Sequence, residues 1–296
     1  MKKIIQVLIL LGGLALQQLQ AQVAPIQNQV YFNPYIYNDA WLGKSEETQL
    51  FVGVKKQWLG VENSPLVATL TFEKPLSSGF NVGLRLVNIS EGPINTLSNK
   101  FSASYRLETG MDAHLIVGMS LGLAFSSFNA AMLDDPNDPA VAEQNQSNFQ
   151  FDGSLGIGYQ WNNLSIGVAM PNFAAPRPFI NLSGTDQVTF SPWNYLIGSV
   201  SLDYELNMDW TFSPMFIYHY QKDFDGQFEG GLRAQYQSKY YLGGLYRQNV
   251  GLTVLAGLDL SEKFGLHYLY SFSSSSANLP NDSHEIVLRV NFGGGK

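Results

Sequence analysis

The chain has 296 residues and a formal charge of −7, with 45% hydrophobic, 13% aromatic and only 14% charged residues. That charged share lies well under the roughly 25% of soluble domains, and the acidic balance argues against a nucleic-acid binder. Cysteine is absent, which excludes disulfides, thiolate metal sites and cysteine nucleophiles.

In chain order, Met1-Lys2-Lys3, the apolar stretch from Ile4 to Leu16 and then Leu19-Gln20-Ala21 read as the three parts of a signal peptide. Residues 1–21 are expected to be removed after Ala21. Losing Lys2 and Lys3 moves the formal charge from −7 to −9. No later apolar run approaches the ~20 residues of a membrane helix. Residues 22–46 form a polar, aromatic-rich lead-in (Tyr31, Phe32, Tyr35, Tyr37, Trp41) without clear periodicity. Its composition leaves three arrangements open: a plug in a lumen, a segment packed beneath it, or a loose arm.

From Glu47 onward the pattern changes to strict alternation. In Asp112–Phe125 one face reads Leu115, Val117, Met119, Leu121, Leu123, Phe125, and the other His114, Ile116, Gly118, Ser120, Gly122, Ala124. Period-2 alternation marks a β-strand with unlike environments on its two sides. Strands are predicted at 47–58, 65–73, 80–90, 98–108, 112–125, 149–160, 163–171, 192–206, 209–221, 225–236, 239–247, 250–260, 263–271 and 284–292. The apolar side is too continuous, and the other side too polar, for a water-soluble sandwich. The fold class expected is all-β: a transmembrane antiparallel up-and-down β-barrel of about 14 strands, spanning residues 47–292, with a short N-terminal segment and a tail at 293–296.

The connections give an independent check. Short ones follow even-numbered predicted strands (Glu108–Met111, Trp161–Asn163, Asn207–Met208, Gln237–Ser238, Ser261–Glu262). Long ones follow odd-numbered strands (Ser126–Asn148, Pro171–Ser191, Phe272–Ser283). Outer-membrane barrels sort their loops this way, short toward the periplasm and long toward the outside.

Candidate chemistry is sparse. His114, His219, His267 and His284 fall on four different predicted strands without metal-ligand spacing. The run Asp134-Asp135-Pro136-Asn137-Asp138-Pro139 lacks the glycine and distal glutamate of a calcium loop and reads as a rigid acidic outer loop. Serines such as Ser271–Ser276 sit in no nucleophile motif, so no catalytic residue and no cofactor is expected. Arg85, Arg106, Glu108, Asp152, Asp203, Glu205, Glu229, Arg233, Asp259 and Arg289 are predicted to face inward. Their interspersed signs favour a ladder of ion pairs filling the lumen over a solute pathway, which often separates signs to shape a field.

A set of short motifs in fixed order is more specific. Asn33-Pro34 precedes Asn38-Asp39-Ala40-Trp41-Leu42-Gly43. Then come Gln57-Trp58-Leu59-Gly60, Pro65, Thr69, Lys74-Pro75-Leu76, Gly83-Leu84, Asn88, Gly92-Pro93 and Ser104-Tyr105-Arg106-Leu107. Near the end stand Tyr270-Ser271-Phe272 and Ser283-His284-Glu285-Ile286. In this order, from about Asn33 to Phe292, the chain resembles the PorP/SprF family of type IX secretion system membrane proteins. It departs from the usual Asn-Pro-Ala-Tyr-Ala-Gly, which stands here as Asn-Asp-Ala-Trp-Leu-Gly. The usual Gly-Ala-Pro after the Gln-Trp hairpin stands here as Asn63-Ser64-Pro65. These departures mark an outlying paralogue.

The resemblance implies a non-enzymatic outer-membrane barrel serving type IX secretion and gliding motility. It implies export or surface anchoring of an adhesin-like protein through its C-terminal sorting domain. Its implied partners are outer-membrane lipid, that secreted protein and a periplasmic peptidoglycan-associated component, with no nucleic acid. Trp41, Trp58, Phe173, Phe179 and Trp193 are candidate partner-binding residues. Phe173, Phe179 and Trp193 read equally as members of an outer aromatic girdle. The competing functional expectation is a transport barrel, either a porin or a channel for hydrophobic solutes; a barrel hydrolase ranks behind both.

Overall fold

The computed structural model describes residues 28–132, 148–173, 192–222, 225–273 and 282–293. The expected signal peptide, the Asp134–Pro139 loop, Phe179 and the last three residues lie outside them. Among the described residues there is no α-helix; strands carry the fold, with short 3₁₀ turns between and before them.

The strands are β1 (Gln49–Lys56), β2 (Leu66–Pro75), β3 (Phe80–Glu91), β4 (Ile94–Gly110), β5 (Ala113–Phe128), β6 (Asn148–Trp161), β7 (Leu164–Met170), β8 (Tyr195–Leu202), β9 (Tyr204–Glu205), β10 (Trp210–Gln221), β11 (Gln227–Tyr236), β12 (Tyr240–Arg247), β13 (Gly251–Asp259), β14 (Phe264–Ser273) and β15 (Ser283–Asn291). Each pairs antiparallel with its sequence neighbour, except that β8 and β9 lie end to end along β10. Pairing of β1 with β15, from Gln49↔Asn291 to Lys56↔His284, closes the barrel. The result is a closed 14-strand antiparallel barrel plus one short extra strand, as the periodicity predicts.

Two local differences stand out. The predicted strand 192–206 begins as a 3₁₀ turn at Pro192–Asn194 and breaks at Asp203. There the backbone is held by Asn163: the Asp203 N–H donates to the Asn163 carbonyl (3.0 Å) and Asn163 Nδ2 donates back to the Asp203 carbonyl (2.8 Å). The second difference is β4, which runs from Ile94 rather than 98, because Gly92-Pro93 makes a tight reversal (Gly92 φ +54°) and lets β3 and β4 pair to their tips. One end of the barrel therefore carries only short turns. The other carries both long connections and this tight one. On the loop rule for bacterial barrels the short-turn end faces the periplasm.

The alternation sorts side chains between two media. On β5, Val117, Met119, Leu121 and Phe125 point out and are exposed, while Ile116, Gly118, Ser120 and Gly122 are buried. Exposed aromatics gather at both ends: Phe80, Tyr105, Tyr159, Trp161, Tyr204, Trp210, Tyr240 and Phe264 at the short-turn end, and Phe125, Phe149, Phe228, Tyr246 and Phe272 at the other. These are the interfacial girdles of a membrane barrel, with an apolar band between them. No water meets that band, so closure is obligatory: an open edge would leave unpaired N–H and C=O groups in hydrocarbon.

If the outward face contacts lipid, Met119→Arg places a cation in the apolar band and should destabilise the barrel by about 2–4 kcal/mol. Urea unfolding of vesicle-reconstituted protein measures this, with the lumen-facing Ser120→Ala as a milder reference.

Candidate functional site

The lumen is occupied. Residues 28–46 thread it from the long-loop end to the short-turn end as three 3₁₀ turns: Gln29–Tyr31, Pro34–Ile36 and Asp39–Trp41. Local chemistry sets this path. Pro34 opens its turn where its missing N–H costs nothing. The Asn38 side chain caps the third turn by accepting from the Ala40 N–H at 2.9 Å. Gly43 (φ +74°) ends it in a left-handed conformation, and a Cβ there would collide with the Asn81 side chain.

The wall meets this plug with two different surfaces. On one side, Phe51, Ile197, Met215, Ile217, Leu245, Leu255, Leu269 and Val287 point inward and pack with Val30 and Tyr31, flanked by Phe32, Ile36 and Tyr37. Burying each such side chain contributes about 1.5–3 kcal/mol. On the other side, β5, β6 and β7 present Gly118, Gly156, Gly158 and Gly167. A Cβ at Gly118 would lie 2.1 Å from the Asp39 carbonyl oxygen, and one at Gly156 would lie 2.0 Å from Asn38 Oδ1. Gly158 and Gly167 seat the Trp41 ring. The plug backbone thus lies where ordinary side chains would be.

Arg85 is the main clamp. Its guanidinium donates to the carbonyls of Tyr35 (3.0 Å) and Ile36 (3.2 Å) and to Ser154 Oγ (3.1 Å), and it sits 3.4 Å from Asp39 Oδ1. Ser120 and Ser154 both donate to the other carboxylate oxygen of Asp39. Further bonds tie each stage of the descent. Asn28 N donates to Glu285 (2.9 Å), Gln29 to Thr69 (3.0 Å), Asn33 to Thr71 (2.8 Å), and Gly43 N to Glu73 (3.1 Å). Tyr35 bonds Ser102 at 2.5 Å. Further inward charges pair with one another: Lys100–Asp152 (2.7 Å), Arg247–Glu229 (2.8 Å), Arg289–Asp259 (3.0 Å) and Arg233–Asp203 (3.7 Å). The interspersed charges therefore form a ladder, as their mixed signs suggest. Glu108 and Glu205 stand apart as exposed rim residues.

A cavity of about 250 Å³ lies at the short-turn end, between the plug and wall residues of β1, β2, β8, β10 and β11. Tyr31, Phe32, Tyr37, Trp41, Lys44, Asp203 and Arg233 are among its lining residues. Burial lowers the Lys44 ammonium below the usual lysine range.

The partner candidates read from sequence do not converge. Trp41 is buried in the lumen (2% exposed) and packs the plug. Trp58, in the β1–β2 connection with φ +52°, lies at the long-loop end, as do Phe173 and Trp193 at the two ends of the β7–β8 connection. Phe173 is anchored by its N–H to the Gly153 carbonyl and to Asp152 (2.8 and 3.0 Å), and Trp193 is 66% exposed. Phe179 lies outside the described residues. Sequence reading passed over Asp39, Ser120, Ser154 and Glu73. Their signal was present in the glycines alternating inward along β5–β7, which imply a second backbone against the wall.

The family described as Type IX secretion system membrane protein PorP/SprF matches residues 19–290. No curated protein matches. Among solved structures, a Pseudomonas aeruginosa FadL homologue is 12% identical with a TM-score of 0.54, covering 92% of this chain and 95% of that one. The CymD monoaromatic hydrocarbon channel is 14% identical with a TM-score of 0.52, covering 92% and 94%. The Acinetobacter baumannii outer membrane protein Omp33 is 7% identical with a TM-score of 0.51, covering 83% and 99%. At such identities the likeness is one of fold.

Two substitutions test the plug. Gly118→Val removes the space for the Asp39 backbone and should expel residues 28–46, read as new protease cleavage there while the strands stay protected. Asp39→Ala strands the buried Arg85 cation and should cost roughly 3–5 kcal/mol of stability.

Proposed function

From the chain's membership in the PorP/SprF family of type IX secretion system membrane proteins, we propose that it is a non-enzymatic, non-conducting outer-membrane platform for export or surface anchoring of a secreted protein. Its cargo is adhesin-like and engages through a C-terminal sorting domain. A peptidoglycan-associated component contacts its periplasmic rim, gliding motility is the process served, and the signal peptide is removed near Ala21. Family membership is the ground for the secretion role. The observation that carries the non-conducting part is the plug: apolar side chains such as Leu255 and Leu269, both 0% exposed, fill the lumen where a pore would hold water. A platform of this kind works by binding. The closed sheet fixes it in the membrane, and the connections at its ends meet the partners.

A specific observation favours a second reading, a channel for small hydrophobic solutes. The 250 Å³ cavity is walled in part by Tyr31, Phe32, Tyr37 and Trp41, and CymD, whose fold is similar, is a monoaromatic hydrocarbon channel.

Conductance in planar bilayers separates the readings that require a water-filled pore from the platform. The intact protein should stay silent, and a variant lacking residues 28–43 should open steady pores. A C-terminal sorting domain from a secreted protein should co-purify with the intact barrel. Stable ion-selective pores from the intact protein, without such co-purification, would refute the platform.

A further inference from the structure

The cavity at the short-turn end holds a cation that has no ion-pair partner among the described residues. Arg233 is committed: it donates to the Tyr31 carbonyl (2.8 Å) and Ser213 Oγ (3.0 Å) and stands 3.7 Å from Asp203. The two acids lining the cavity are also engaged, Asp203 by Ser213 (2.6 Å) and Arg233, and Glu73 by the Gly43 N–H (3.1 Å). Lys44 differs. Its ammonium lies 5.8 Å from the Trp41 ring centroid, and among the described residues no carboxylate comes within ion-pair distance of it. Lys44 is half-buried, and that burial lowers its basicity. Asp203 attracts Lys44 only from beyond ion-pair distance; a partly desolvated cation without a contact counter-ion is costly, and an incoming anion relieves that cost.

The rest of the lining says what should carry the anion. Tyr31, Phe32, Tyr37 and Trp41 are aromatic, Val30, Pro34 and Met215 are apolar, and the Tyr31 hydroxyl is buried without a hydrogen-bond partner. A cavity of about 150 Å³ holds a benzene ring, so 250 Å³ accommodates a ring with a short acid arm. We propose that this cavity binds a carboxylate borne on an aromatic body, with the acid on Lys44 and the ring among Tyr31, Tyr37 and Trp41. Two sources share that chemistry: a free aromatic acid, and the terminal carboxylate of a polypeptide ending in an aromatic residue. The site stands on the cavity itself and does not depend on the secretion role.

The test uses the full mature protein in detergent, with a fluorine-labelled phenylpropionate followed by fluorine NMR. Saturable binding is expected. Lys44→Met should weaken it by roughly tenfold or more, as should Ser201→Phe, which fills the cavity without changing charge. Lys263→Met, an exposed lysine at the same end, should leave it unchanged. Retained heat-modifiable mobility on gels checks that each variant folds. The amide analogue should bind at least tenfold more weakly than the acid. Competition then separates the sources: displacement by a short peptide with a free C-terminal phenylalanine, but not by its amide, marks a chain end, and no displacement marks a free acid. The proposal is overturned by absence of saturable binding, by equal binding of acid and amide, by an unaffected Lys44→Met or Ser201→Phe, or by equal weakening in Lys263→Met.

Discussion

A backbone in hydrocarbon has no water to turn to, and every structural decision in this molecule follows from that. Each N–H and C=O between the two aromatic girdles must find a partner in the next strand, and the last strand must find the first. The β1–β15 ladder supplies that closure, with Gln49 against Asn291 at one end and Lys56 against His284 at the other. Once the sheet is a cylinder, each strand has one face toward lipid and one toward an enclosed space. The side chains divide accordingly, residue by residue.

The enclosed space then has to be filled or left wet. Here it is filled, and the wall is shaped to receive its filling. Apolar side chains of β8, β10, β12–β15 and β1 meet Val30, Tyr31 and their neighbours. Glycines and serines of β5–β7 meet the backbone around Asn38 and Asp39. Arg85 joins the halves of this arrangement, holding two carbonyls and one carboxylate of the plug at once. A buried pair adds little when intact but is costly to break. Its effect is therefore to hold the plug in one register.

The consequence for function is a division of labour along the barrel axis. The middle is closed and structural. The long-loop end offers Trp58 on the β1–β2 connection and Phe173 and Trp193 on the β7–β8 connection, while the short-turn end offers a concave site whose Lys44 has no ion-pair partner among the described residues. The proposed platform role asks for fixed geometry more than for a pathway, and the plugged lumen supplies that rigidity. Fold similarity to hydrocarbon channels shows that the same cylinder, with different contents, serves other ends.

Strand positions, the lipid-facing stripe and the barrel class were legible in the sequence because period-2 alternation is a local property: each residue's face is set by its immediate neighbours. The Asp203 break and the tip-to-tip pairing at Gly92-Pro93 were not, because they depend on Asn163 and on the partner strand. The mixed-sign ladder was legible in outline, but not its partners. The fate of the lead-in, and with it the cavity and the isolation of Lys44, was decided only by tertiary structure. Asn28 bonds Glu285 across 257 residues, and Asp39 finds Ser154 across 115. A segment without periodicity carries no sign of its place. Only the curvature of the closed sheet brings those groups to one axis.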